Sequence, residues 1–415
     1  MSINVTEPSA VGFSTERLAR IQPAMQRYVD NLGFGGICTL LARRGQVVHF
    51  AQVGQQDRES GTPLPADAIY RIYSMTKPII CTALMTLHEE GRFQLFEPVA
   101  KYLPAFAKMS VLTGNAEAGY TEVDAVRPMT IHQLFTHTSG LTYGFLEDTP
   151  VSKMYLDAKL MQDADQTLES VIDDIARFPL AYQPGERWHY SVSIDVLAHL
   201  IEVLSGQPLR DFLQARLFGP LGMADTAFEV ALEKQNRLAT MYGHPDVLYH
   251  QFSTFLQAWT TGDNGRRDVS DGYPASGAPN FARGGHGLFS TAADYLRFAQ
   301  MLLNRGQLDG ARILGRKTVE FMHANHLPPA LLPYELNKIP SLGYGFGLGS
   351  RVMLNPPASA VPGSPGEFGW AGAAKTYYWV DPQEEMVGIL MSQFMMAMDL
   401  PDKDFQVLAY QALVD

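Results

Sequence analysis

The two ends of the chain read as β-structure, and a long stretch of helix and loop separates them. Residues 37–43 (Ile-Cys-Thr-Leu-Leu-Ala-Arg) and 46–53 (Gln-Val-Val-His-Phe-Ala-Gln-Val) flank Arg44-Gly45, which predicts a hairpin. Near the other end, Thr376 to Val380 and Met386 to Met391 flank Asp381-Pro382-Gln383-Glu384-Glu385, a strong turn signal. The middle, from about 95 to 290, carries helical patterns such as Leu168 to Phe178 and Ile194 to Leu204, the second ending at Ser205-Gly206. A strand set buries its apolar face only against another layer. The simplest architecture is therefore α/β in the α+β sense: one antiparallel sheet built from N- and C-terminal segments, flanked by helices, with a mostly helical insertion. That predicts a discontinuous sheet domain of residues 1–95 and 290–415 and a mainly helical domain of residues 96–289. A site is expected in the cleft between them.

Other elements fit this order. Ser14 can cap a helix whose apolar stripe is Leu18, Ile21, Met25 and Val29. A short strand is expected from Ala68 to Tyr73. A helix follows from Ser74 to Glu90, stopped by Gly91, with Pro78 in the first turn where proline is tolerated. Residues 259–280, rich in Gly, Asp, Ser and Pro, predict a long loop. Helices are expected from Ser290 to about Leu303 and from about Asp402 to Leu413. Gly343 to Met353 is glycine-rich and aromatic. No internal repeat or low-complexity tract interrupts the pattern.

Composition narrows the function. Of 415 residues, 46% are apolar and 18% charged, which excludes a disordered chain. The net charge of −11 argues against nucleic acid and anionic membrane surfaces as partners. Cys38 and Cys81 lie in apolar runs and predict buried free thiols rather than a disulfide framework. No apolar run approaches the roughly 18 residues of a membrane span. Met1 to Glu7 has neither the basic nor the apolar region of a leader, so a cytoplasmic location is expected.

The sharpest local feature is Ser74-Met75-Thr76-Lys77, between a strand and an apolar helix. At a helix start, residues i and i+3 share a face, so Lys77 stands beside Ser74. A serine hydroxyl needs a base to become a nucleophile, and a lysine desolvated among Ile72, Tyr73, Ile79 and Ile80 can be that base. The helix N-terminus adds N–H groups useful to an oxyanion. Ser-x-x-Lys also describes a capping serine followed by a surface lysine, so its context has to decide. No serine carries the Gly-x-Ser-x-Gly elbow, which disfavours a Ser-His-Asp hydrolase.

A second feature is Pro184-Gly185-Glu186-Arg187-Trp188-His189-Tyr190-Ser191-Val192, a turn that delivers Tyr190 just before a helix. Further segments are Leu134-Phe135-Thr136-His137-Thr138-Ser139-Gly140-Leu141, Gly284-Gly285-His286-Gly287-Leu288-Phe289-Ser290-Thr291 and Trp370-Ala371-Gly372. With these in this order, nearly the whole chain resembles the serine β-lactamase-like hydrolases of the penicillin-binding-protein fold. Within them it is most similar to the family VIII carboxylesterases, beside the class C β-lactamases. The resemblance implies that Ser74 is the nucleophile, that Lys77 and Tyr190 relay protons, and that the N–H groups of Ser74 and Ala373 form the oxyanion hole. It implies substrate contacts at Trp370, Gly372 and Val192, with Tyr143 as a further contact in the loop after His137. Taken alone, Tyr190 reads rather as a half-buried aromatic with a satisfied hydroxyl, and Gly372 can be a bend in an ordinary strand.

Two departures carry information. Trp370 stands where β-lactamases have the lysine of Lys-Thr-Gly, and Val192 where an asparagine usually follows the tyrosine by two. Both exchange a polar handle for apolar surface, which favours an uncharged ester over a charged, amide-rich β-lactam. The histidines lack metal-pair spacing: His132 and His137 are five apart, and His286 lies between glycines. His137 reads as structural, His189 as pointing away from the site. No metal, no cofactor and no phosphate-binding loop is expected. The expected function is a serine carboxylesterase acting on small, uncharged, short-acyl esters. The alternatives are a β-lactamase or D,D-peptidase, or an acyltransferase or amide hydrolase using the same residues.

Overall fold

The computed structural model describes residues 3–415, so Met1 and Ser2 of the stretch read for a leader lie outside it. The N-terminal hairpin forms as β1 (Gly36–Arg43) and β2 (Gln46–Asp57). A short β3 (Thr62–Pro63) extends it. The C-terminal part adds β4 (Tyr344–Phe346), β5 (Arg351–Met353), β6 (Phe368–Gly372), β7 (Thr376–Asp381) and β8 (Met386–Ser392). All eight join one sheet in the order β4-β5-β6-β7-β8-β1-β2-β3, with antiparallel neighbours throughout. The two ends of the chain meet where β1 pairs with β8, Leu40 opposite Ile389. Both strands are buried along their whole length, which explains why they are apolar runs rather than alternating ones.

Helices cover both faces. On one face, α1 (Ile21–Leu32) and the C-terminal α5 (Pro401–Tyr410) pack on each other and on the sheet. On the other face lie α2 (Thr76–Glu89) and α4 (Ala292–Leu303), and α3 (Ser193–Ser205) packs on α2. The two-residue period of β7 serves both faces. Tyr378 meets Tyr295 of α4 (centroids 4.9 Å apart), while Trp379 meets Phe405 of α5 (5.1 Å). Residues Thr76 to Leu87 of α2 are all buried, as expected of a helix apolar all round. Leu40 and Ile389 of the sheet share one core with Leu134, Val171 and Ile201 of the middle segment.

Several expectations shift. The strand expected over Ala68 to Tyr73 shrinks to Tyr70–Arg71, because the backbone turns into a 3-10 turn at Tyr73–Met75. The middle contains a hairpin, Ser110–Asn115 with Gly119–Asp124, in a stretch read as mostly helix and loop. Its second strand is exposed on both faces, so it leaves no apolar alternation to read. The expected loop 259–280 begins inside a helix, Phe252–Thr261, which Gly262 ends. The last helix stops at Tyr410. Among the described residues no helix is long and apolar enough to cross a membrane.

Candidate active site

Ser74 occupies the 3-10 turn just ahead of α2. Its neighbour Tyr73 has φ +44°, a left-handed conformation that costs a non-glycine residue about 1–2 kcal/mol. Packing holds it there: the Tyr73 ring is buried edge-on against Tyr273, centroids 5.0 Å apart. One helical turn on, Lys77 is 1% exposed. Its Nζ donates to Ser74 Oγ at 3.1 Å and to the Gly285 carbonyl at 2.8 Å. The same ammonium lies 4.6 Å from the ring centre of Tyr190 and 5.1 Å from that of Tyr143. Tyr190, at the turn before α3, donates to Ser74 Oγ at 2.7 Å. Ser74 Oγ is thus held from two sides by the two groups that can take or return its proton.

The edge of β6 closes the site. Gly372 lies so near the nucleophile turn that a Cβ there would stand 2.4 Å from the Ile72 carbonyl oxygen. Thr376 Oγ1, at the start of β7, ties the sheet to that turn by donating to the same oxygen at 3.1 Å. Among the described residues, neither the Ser74 N–H nor the Ala373 N–H donates to another protein group. Both residues line a cavity of about 650 Å³ together with Tyr143, Tyr190, Trp370 and Gly372. That is a usual size for a small-ligand site.

Not every expected residue reaches the cavity. Val192 does not line it: the residue is 1% exposed and starts α3, with its N–H donating to the Thr142 carbonyl at 3.2 Å. Val192 packs into the core instead. Trp370 lines the cavity and has a further contact, its Nε1 donating to the Tyr190 hydroxyl at 3.3 Å. Tyr143 lines the cavity beside Tyr190, ring centres 5.2 Å apart.

Two partners escaped the sequence reading. Gly285 accepts from Lys77, while its N–H donates to Asp195 Oδ1 at 2.8 Å. A Cβ on Gly285 would stand 2.5 Å from both Asp195 Oδ2 and the Tyr143 hydroxyl, so only glycine fits between them. Burial pushes the Asp195 carboxyl up, and the nearby Lys77 ammonium opposes that shift. The available signal was an aspartate inside the otherwise apolar first turns of α3, since acids are seldom buried without a role. The histidines sit at the edges. His137 is buried against Ser191 (Nδ1 to Oγ, 3.2 Å), and His189 pairs with Thr142 Oγ1 at 2.9 Å. His286 lines the cavity, and burial holds its ring well below the usual range. Among the described residues no three His, Cys, Asp or Glu side chains gather as a metal site.

A family model for beta-lactamases matches residues 21–412. The chain belongs to the beta-lactamase family. Protein Rv1367c of Mycobacterium tuberculosis is 34% identical over 376 residues, covering 90% of this chain and 89% of its own. Esterase EstB of Burkholderia gladioli is 28% identical over 393 residues, covering 90% of each. The solved structure of EstCE1, described as a hydrolase with promiscuous acyltransferase activity, has the same fold. Its TM-score is 0.78 at 23% identity, covering 95% of this chain and 99% of EstCE1. This member of the beta-lactamase family is a serine hydrolase of that fold.

Proposed function

We propose that the chain is a serine carboxylesterase working through an acyl-enzyme. The observation that carries this reading is Ser74 Oγ, hydrogen-bonded at once by Lys77 and Tyr190 and facing a cavity of about 650 Å³. Lys77, assisted by Tyr190, takes the Ser74 proton, and Oγ attacks the ester carbonyl. The oxyanion rests on the free N–H groups of Ser74 and Ala373. Tyr190 protonates the departing alcohol and regains its proton from Lys77. Water then attacks the acyl-enzyme by the same relay in reverse, freeing Ser74 and the acid.

Trp370 supports an ester over a β-lactam, because an indole replaces the lysine that would hold a β-lactam carboxylate beside the nucleophile. Apolar walls at Phe145, Val247 and Met396 suit a short acyl or alcohol group. The likeness to EstB, an esterase, agrees with this reading. A second reading, acyl transfer to an alcohol, is favoured by EstCE1 and uses the same residues with an alcohol in place of water. The test is trapping of an acyl group from p-nitrophenyl butyrate in the wild type and in Ser74→Ala. A burst of p-nitrophenol with acyl on Ser74 supports the proposal, and equal turnover by both proteins sinks it. Product analysis with added alcohol separates hydrolysis from transfer.

A further inference from the structure

The chain carries a net charge of −11, yet its catalytic cavity is lined by three cations, Arg351, Lys375 and Lys403, and by one acid, Asp402. Three segments supply the cluster. Arg351 opens β5, Lys375 lies in the turn between β6 and β7, and Lys403 lies in the first turn of α5. None of the three bonds to Ser74, Lys77 or Tyr190.

Direct ion pairs cover only part of this charge. Lys375 Nζ pairs with Asp402 Oδ1 at 3.2 Å. Arg351 and Lys403 form no ion pair among the described residues. Arg351 lies over the rings of Tyr344 (4.6 Å) and Tyr377 (5.0 Å) and gives one hydrogen bond, to the Tyr377 hydroxyl. Most of its N–H donors remain free. Lys403 Nζ has only the Tyr344 hydroxyl, at 3.4 Å. The next acid, Glu367, is buried and engaged elsewhere, by Tyr410 at 2.6 Å and Gln406 at 2.8 Å. Burial pushes its carboxyl up, towards the neutral form. Lys375 also has φ +57°, a conformation glycine would adopt without strain. Like-charged groups gathered in a cavity repel each other, and an anion bound among them relieves that repulsion.

We propose that Arg351, Lys375 and Lys403 form an anion subsite of the Ser74 cavity that receives a free carboxylate of the substrate. The preferred substrate is then an ester bearing a second, unesterified carboxyl group. This rests on the ester-hydrolase reading above and revises one part of the sequence expectation. Trp370 sets an apolar ring beside Tyr190, while the substrate's charge is met elsewhere in the same cavity. A planar carboxylate suits the fork of Arg351, held flat against two rings. Asp402 opposes a dianion, which favours a carboxylate over a phosphate.

Two matched pairs of esters test this. Mono-p-nitrophenyl adipate against p-nitrophenyl hexanoate places the charge on the acyl side. 4-Acetoxybenzoate against 4-methylphenyl acetate places it on the alcohol side. In at least one pair the charged ester should show a KM lower by about tenfold, the size of one charge-assisted hydrogen bond. Lys403→Gln and Arg351→Gln should each bring that ratio towards one. Lys403→Gln carries the test by itself if Arg351→Gln fails to fold.

A binding readout stands apart from turnover. Hexanoate should bind Ser74→Ala and take up protons at pH 8.5, because burial and the neighbouring Arg351 hold Lys403 down at about 8 and a bound carboxylate raises it. Equal KM values in both pairs, or a preference that survives Lys403→Gln, overturn the subsite. Tighter binding of inorganic phosphate than of hexanoate overturns the carboxylate assignment. Turnover of the neutral esters without a charge preference leaves the esterase reading standing. If none of the four esters turns over, the esterase reading falls, and hexanoate binding alone decides the subsite.

Discussion

Trp370 donates its indole N–H to the hydroxyl oxygen of Tyr190 at 3.3 Å, and that same hydroxyl donates to Ser74 Oγ at 2.7 Å. Whenever the tyrosine gives up its proton, the indole dipole points at the oxygen left carrying charge. Trp370→Phe keeps the apolar surface and removes the donor. It should lower kcat by about tenfold, the value of one hydrogen bond to a developing charge, with a smaller change in KM. Steady-state kinetics with a neutral ester check this. An unchanged kcat would mean the contact only packs.

Lys77 is buried with a carbonyl and a hydroxyl as its close partners, and no carboxylate pairs with it directly. Burying an ionisable group in this way costs stability and is kept for its chemistry. Lys77→Met should lose activity by about a thousandfold while thermal stability stays level or rises. A large fall in Tm would show that the ammonium is instead a structural tie to Gly285.

Gly372 sets how closely β6 approaches the Ser74 turn. Gly372→Ala places a methyl 2.4 Å from the Ile72 carbonyl oxygen and 2.2 Å from Thr376 Oγ1, so the strand edge must move away. Activity should fall about a hundredfold, as expected for a shift near 1 Å in an active site, with a much smaller loss of stability. Circular dichroism melting alongside ester kinetics separates the two. Activity within a factor of about two of the wild type would show that the close approach of β6 to the Ser74 turn is not needed.

Acid should weaken the fold through its buried histidines. Burial holds His189 and His323 each down at about 4. In the unfolded chain both titrate near 6.5. The native state therefore resists their protonation. Their contribution is fully present above pH of about 6.5 and is lost as the pH falls towards 4, by up to about 3 kcal/mol each. Urea unfolding between pH 7 and 4.5 should show the midpoint falling, with a shallower slope in His323→Leu. A midpoint independent of pH would contradict it.

What the sequence reveals about the site follows the distance along the chain. Ser74 and Lys77 are one helical turn apart, so their meeting is fixed by local geometry once α2 forms. Gly285 and Asp195 could not be paired with Lys77 in that way. Their contact depends on how α3 docks on α2 and on a glycine thin enough to pass between Asp195 and Tyr143. Val192 shows the opposite error. Its place two residues after Tyr190 suggested the cavity, but the start of α3 turns it into the core. The exposed hairpin at 110–124 was missed because neither face of its second strand is buried, leaving no pattern to detect.

The sequence by itself determined the strands at both ends, the apolar helix behind Ser74 and the Ser-Lys pair, because burial patterns and i, i+3 neighbours are properties of short stretches of chain. Only the tertiary structure decided that Trp370 faces Tyr190, that Gly285 accepts from Lys77, and that Arg351, Lys375 and Lys403 converge on one cavity wall. These contacts join residues from different strands, turns and helices. Sheet register and helix docking bring them together, and those are set by packing across the whole core rather than by any local run of residues.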